Sequence, residues 1–133
     1  KLEPEGWKAP SLIGRKFIWG KYDCWSIVTD WFKENKNINI PYWTRPKKFK
    51  DFLENPEFEY ALPKLNFKKL NTTNDMQVGD VLLFQSITGN LDHVALYLGD
   101  NMILNHNIKS LSCRQLFDFN YQQSLKGVYR YAA

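Results

Sequence analysis

Phe17-Ile18-Trp19-Gly20-Lys21-Tyr22-Asp23-Cys24-Trp25-Ser26-Ile27-Val28 sets a cysteine at the start of a helix. Gly20 breaks the apolar run before it, and Asp23 is a favourable N-cap residue. From Cys24 onward the apolar residues Ile27, Val28, Trp31 and Phe32 recur at helical spacing, so the helix is expected over Cys24 to about Glu34. Cys24 then lies in the first turn, at the edge of the buried face. Backbone N–H groups and the helix dipole favour negative charge there, which predicts a thiolate that forms more easily than in a free cysteine. The competing reading of Cys24 is a small buried hydrophobe.

Working outward, the 16 residues before this stretch read as an entry segment broken by Pro4, Gly6 and Pro10, with Trp7 and Leu12-Ile13 as anchors. After the helix, Ile38 to Trp43 is extended and alternating. Phe49, Phe52 and Leu53 then predict a short helix inside a Lys-rich, aromatic-rich region running to Leu70. Its lysines read as a solvated face. Beyond Asn74 the period changes from 3.6 to 2. Val81 to Phe84 reads as a strand after the Gly79-Asp80 turn. His93 to Leu98 is a second strand, with Val94, Leu96 and Leu98 on one face and His93, Ala95 and Tyr97 on the other. Gly99-Asp100-Asn101 turns the chain into Met102 to His106. Ser112 is expected to cap a helical turn over Cys113 to Phe117, and Gly127 to Tyr131 to close the sheet. Helices first and a strand meander afterwards predict an α+β fold.

The chain of 133 residues is 44% hydrophobic, 16% aromatic and carries a net charge of +4. That is enough apolar matter for one domain with its own core. The basic residues are spread without an Arg-rich block, which argues against a nucleic-acid partner. No apolar run approaches the roughly 20 residues of a membrane span. The two cysteines, Cys24 and Cys113, make neither a disulfide framework nor a zinc site, so both are expected to stay unpaired and no metal is expected. Starting at Lys1, the chain is expected to be part of a longer one.

A helix-borne thiol, a strand-borne imidazole at His93 and a polar residue that orients the imidazole form the triad logic of cysteine hydrolases. Two residues compete for the third role. A two-residue turn at Asp100-Asn101 would bring His106 onto the His93 face, whereas a three-residue turn including Gly99 would bring Asn105.

The order Phe17-Ile18-Trp19-Gly20, Asp23-Cys24, Gly79-Asp80-Val81-Leu82-Leu83-Phe84, His93-Val94-Ala95-Leu96-Tyr97-Leu98-Gly99, Ile103-Leu104-Asn105 resembles the NlpC/P60 family of cysteine peptidases. Within that family, Asp23-Cys24-Trp25, the leader Gly6 to Arg15 and Ser110 to Arg114 look most like the C-terminal domains of lambda-type phage tail tip proteins. The resemblance covers nearly the whole chain and is weakest over Lys47 to Leu70. It implies a papain-like fold, with N-terminal helices packed on an antiparallel sheet, as one catalytic domain over 1–133. It implies hydrolysis of bacterial peptidoglycan stem peptides without a cofactor. The implied setting is a virion tail tip made in the host cytoplasm and acting at the cell wall, with other tail-tip proteins as partners. By position, Cys24 is implied as nucleophile, His93 as general base and Asn105 as third member. Phe17 stands where the family carries a tyrosine, and Trp25 where it carries a small residue. Phe17, Tyr22, Trp25 and His106 are therefore the oxyanion or substrate-lining candidates. Cys24 rather than Cys113 is expected to be the reactive thiol and to label first with iodoacetamide.

Overall fold

The computed structural model describes residues 10–132. Trp7, Pro4 and Gly6 of the entry segment lie outside the described residues. The fold is mixed: helix α1 (Cys24–Lys36), short helices α2 (Phe49–Glu54) and α3 (Phe58–Lys64), then strands β1 (Phe67–Lys69), β2 (Val81–Phe84), β3 (His93–Gly99), β4 (Met102–Asn105) and β5 (Cys113–Leu116), helix α4 (Phe119–Ser124) and strand β6 (Leu125–Tyr131). The strands form one sheet in the order β1-β6-β2-β3-β4-β5, with every pairing antiparallel.

Helix α1 buries Cys24, Trp25, Ile27, Val28, Trp31 and Phe32. These meet Val81, Leu83, Val94, Leu96 and Leu104 from one face of the sheet. The other face carries Leu82, Phe84, Ala95, Ile103, Phe117 and Val128, with Tyr121 of α4 against them. The alternation read along β3 thus separates two packed layers. Gly79 is required where β2 meets α1. Its φ is +96°, and a Cβ there would stand 3.3 Å from the Trp31 ring, a contact that backbone strain would aggravate.

Five elements differ from the sequence reading, one of them β1, which pairing with β6 creates inside the Lys-rich region. Ile38 to Trp43 joins no strand ladder, although Ile38, Ile40 and Trp43 pack on the core. Helix α3 was hidden by Pro63 in its last turn; burial of Phe58, Ala61 and Leu62 holds it. Cys113 to Leu116 is a strand and not a helical turn. Pairing along β4 offers it ladder hydrogen bonds, and a one-turn helix cannot match those because nucleation is unfavourable. Ser112, freed from capping, clamps the entry segment: its Oγ accepts from Arg15 N (2.8 Å) and donates to Leu12 O (2.8 Å). Helix α4 starts at Asp118, whose carboxylate accepts from Tyr121 N. Of the anchors proposed in the entry segment, Trp7 lies outside the described residues, Leu12 packs on the core and Ile13 is exposed.

Candidate active site

Asp23 builds the start of α1. Its Oδ1 accepts from Trp25 N (3.1 Å), Ser26 N (2.9 Å) and Ser26 Oγ (3.0 Å). Its Oδ2 accepts from Gly20 N and from Arg45 Nη2, both at 2.8 Å. The carboxylate is fully buried, so these donors replace the water it gave up. The result fixes Cys24 at the first helical position, 5% exposed, within electrostatic reach of the backbone N–H of Val94, the residue after His93.

The thiol is not activated as the sequence reading expected. Burial first, and the Asp23 carboxylate second, push its pKa from 9.0 up to about 12; the Val94 N–H and Arg45 draw the other way and lose. A helix N-terminus contributes only partial charge, whereas desolvation acts on the whole thiolate. Cys24 is therefore a neutral thiol in this structure. Both cysteines are free, and Cys113 is the more accessible. In the free protein at pH 8, iodoacetamide is expected to modify Cys113 before Cys24, as followed by peptide mass spectrometry. This reverses the order expected from helix position alone.

The β3–β4 hairpin decides which residue faces His93. The turn has two central residues, Asp100 and Asn101, at φ 50° and 61°, left-handed as a tight hairpin turn requires. That length alone would align His106 with the His93 face. Tyr97 pairs with Ile103 while Gly99 pairs with Met102, so Leu98 is an extra residue in β3. This bulge shifts the register by one, and Leu96 faces Leu104. Asn105 consequently shares the face of His93 and Ala95. His93 Nε2 lies 2.5 Å from Asn105 Oδ1.

The partners of the Asn105 amide favour one orientation. Its Nδ2 donates to Gln115 Oε1 (3.0 Å) and to Tyr121 OH (2.7 Å). In that orientation the carbonyl oxygen faces His93, and because that oxygen only accepts, Nε2 carries the ring proton. Nδ1 is left as the basic nitrogen. Phe84 of β2, paired with His93 across the strands, lies with its ring 5.9 Å from the imidazole. Burial lowers the His93 pKa, partly offset by Asn105. On β3 the thiol's neighbour is the Val94 N–H, one residue from His93, and no hydrogen bond between the thiol and the imidazole is present among the described residues. Gln115 and Tyr121 escaped the sequence reading. The signal for Gln115 was an alternating β5, masked by the apparent cap at Ser112.

The remaining candidates are dispersed. His106 lies on the α1 side, fully buried, with its ring 5.3 Å from Phe17 and Nε2 on Ser110 O at 3.2 Å. Trp25 is 2% exposed and packs against Trp43, Phe58 and Phe67. His106 is therefore a core residue, whereas Trp25, although almost fully buried, lines together with Tyr22 the groove between α1 and Asn39 to Arg45. Phe17 is partly buried against Phe49. Tyr22 is partly exposed, with Arg15 and Lys21 over its ring. That groove, of about 320 Å³, lies on the helix face away from Cys24. Among the described residues, no cluster of three or more His, Cys, Asp or Glu side chains could hold a metal. Likewise, no helix there is long and apolar enough to cross a membrane.

Burial of these groups makes stability depend on pH in a defined sense. His93 and His106 both have pKa values lowered from 6.5. Below pH 6.5 the unfolded chain takes up protons that the folded one refuses, so stability falls as pH drops. Cys24 is raised from 9.0. Above pH 9 the unfolded chain releases a proton that the folded one keeps, and stability falls as pH rises. Thermal melts by circular dichroism are expected to show a plateau from about pH 6.5 to 9. A Tm still climbing below pH 6 would contradict the burial of both imidazoles.

A thiol at a helix N-terminus beside an antiparallel sheet that carries an Asn-held imidazole defines a class, and a family model agrees with it. The NlpC/P60 family model matches residues 14–130, and the chain belongs to the NlpC/P60 family. It is similar to tail tip assembly protein K of Escherichia phage N15, 24% identical over 139 residues that cover 98% of this chain. It is similar also to tail tip assembly protein K of Escherichia phage lambda, 29% identical over 131 residues that cover 93% of this chain. The chain spans 52% and 61% of the length of these two relatives. Among solved structures, a lipoprotein-like protein of the NLP/P60 family from Staphylococcus aureus aligns with a TM-score of 0.57 and 19% identity. The alignment covers 92% of this chain and 38% of that one. At that identity the likeness concerns the fold.

Proposed function

We propose that this domain is a cysteine endopeptidase acting on peptidoglycan stem peptides from a phage tail tip. The observation that carries the reading is the His93–Asn105 pair, with Asn105 oriented so that His93 keeps a basic Nδ1. An imidazole held this way can accept a proton at a defined atom. In the reaction, Cys24 Sγ attacks the scissile carbonyl carbon while His93 Nδ1 takes the thiol proton. The C–N bond then breaks, the imidazolium returns the proton to the leaving amine, and a water hydrolyses the thioester. Asp23 occupies the Trp25 and Ser26 amides but not that of Cys24, so the Cys24 N–H is the oxyanion donor. Cys24 and His93 are the catalytic pair and Asn105 the third member. The tail-tip setting and partners rest on the names of the two phage relatives.

A second reading, a structural tail-tip domain that retains the fold without turnover, is favoured by the buried neutral thiol and by those same names. A third, an amidase or acyltransferase, would use the same pair. Mass spectrometry of defined muropeptides after incubation with the domain separates the three. New termini within the stem peptide that vanish in Cys24→Ala are expected. No product from the parent favours the structural domain, and cleavage or transfer at another acyl bond favours the third reading.

A further inference from the structure

We propose that Tyr121 and Gln115 are positioning residues that set the tautomer of His93 through the Asn105 amide. The inference rests on the reading of His93 as general base and deepens it. Asn105 Nδ2 has two hydrogens, and both are taken: one by Gln115 Oε1, the other by Tyr121 OH. Each acceptor is itself held. Tyr121 is placed by the Asp118-capped first turn of α4, with its ring 5.4 Å from that of Phe84. Its hydroxyl oxygen also accepts from Asn107 Nδ2 at 3.2 Å. Gln115 points inward from β5, which pairs Asn105 with Cys113, and its Oε1 also accepts from Cys113 Sγ at 3.4 Å.

Without these acceptors, Asn105 can turn over with little change in shape. It would then present N–H to His93 Nε2, which must accept, and the ring proton would move to Nδ1. That tautomer has no lone pair at Nδ1 for the thiol proton. Two residues from the edge strand and a one-turn helix thus control the protonation pattern of a side chain neither of them touches.

The test uses the ¹⁵N-labelled domain and reads two quantities: the His93 ring nitrogen shifts and the steady-state turnover of a muropeptide. The parent is expected to carry its proton on Nε2. Tyr121→Phe, which keeps the ring, is expected to lower kcat about fivefold, the worth of one neutral hydrogen bond, with KM unchanged. Gln115→Met is expected to act similarly, and Gln115→Glu, which restores an acceptor oxygen, to recover most of that loss. The Tyr121→Phe/Gln115→Met pair is expected to shift the ring nitrogens toward the Nδ1–H tautomer and to lower kcat at least about thirtyfold, in the range of lost supporting contacts at such sites. If the double variant fails to fold, the ring shifts and the rescue series of the single variants decide. Ring shifts identical to the parent in both singles and the double overturn the proposal. A parent without turnover overturns the endopeptidase reading instead, and the ring shifts still decide this one.

Discussion

His93→Ala is expected to lower muropeptide turnover by at least about three orders of magnitude, the scale at which members of such units fail. The physical reason is specific to the structure. Cys24 is a neutral thiol pushed up to about 12, so at pH 7 only about one in 10⁵ molecules would carry a thiolate unaided. In the proposed mechanism attack must therefore be coupled to proton removal, with His93 Nδ1 as the proposed acceptor. Asn105→Ala is expected to cost less, roughly ten- to a hundredfold, because the imidazole remains and loses only its fixed tautomer. Single-turnover kinetics at saturating substrate, with folding checked by circular dichroism, measure both. Equal losses in the two variants would show that Asn105 does more than orient. A His93→Ala variant within tenfold of the parent would remove the imidazole from the mechanism.

Asp23→Ala is expected to have the largest effect on stability, about 3–5 kcal/mol by urea unfolding at 25 °C. Breaking a buried ion pair from one side costs that much because the other charge is stranded. Arg45, with a side chain 6% exposed, would be left between the rings of Trp19 and Trp43 without its carboxylate. The same substitution strips the N-cap of α1, itself about 0.5–2 kcal/mol. It also frees Gly20 N from its acceptor. Against a typical total of about 5–15 kcal/mol, this leaves a marginal domain. Asp23→Ala/Arg45→Met is expected to recover part of the loss, since the stranded charge goes too. A single-variant loss below about 1 kcal/mol would mean that the carboxylate is not carrying the helix start. Asp23 also opposes ionisation of Cys24, so the residue that fixes the position of this thiol works against its charge.

The sequence by itself determined the elements whose side chains repeat with a clear period. Helix α1 begins at Cys24 as the Asp23 cap and the apolar spacing indicated. Strands β2, β3 and β4 fall where alternation and turn residues placed them, and the order of short motifs pointed to the NlpC/P60 family. Period and capping are local, so they are written in adjacent residues. What tertiary structure decided is of another kind. Strand β5 exists because the edge of β4 pairs with it, and α3 because its apolar residues are buried despite Pro63. The choice between Asn105 and His106 turned on one bulged residue, Leu98, which no turn propensity could reveal because a single-residue shift inverts every face. The charge state of Cys24 was likewise beyond reach of the sequence. The helix terminus is local and argues for a thiolate, but desolvation depends on everything packed around the sulfur, and in this fold desolvation is the larger effect.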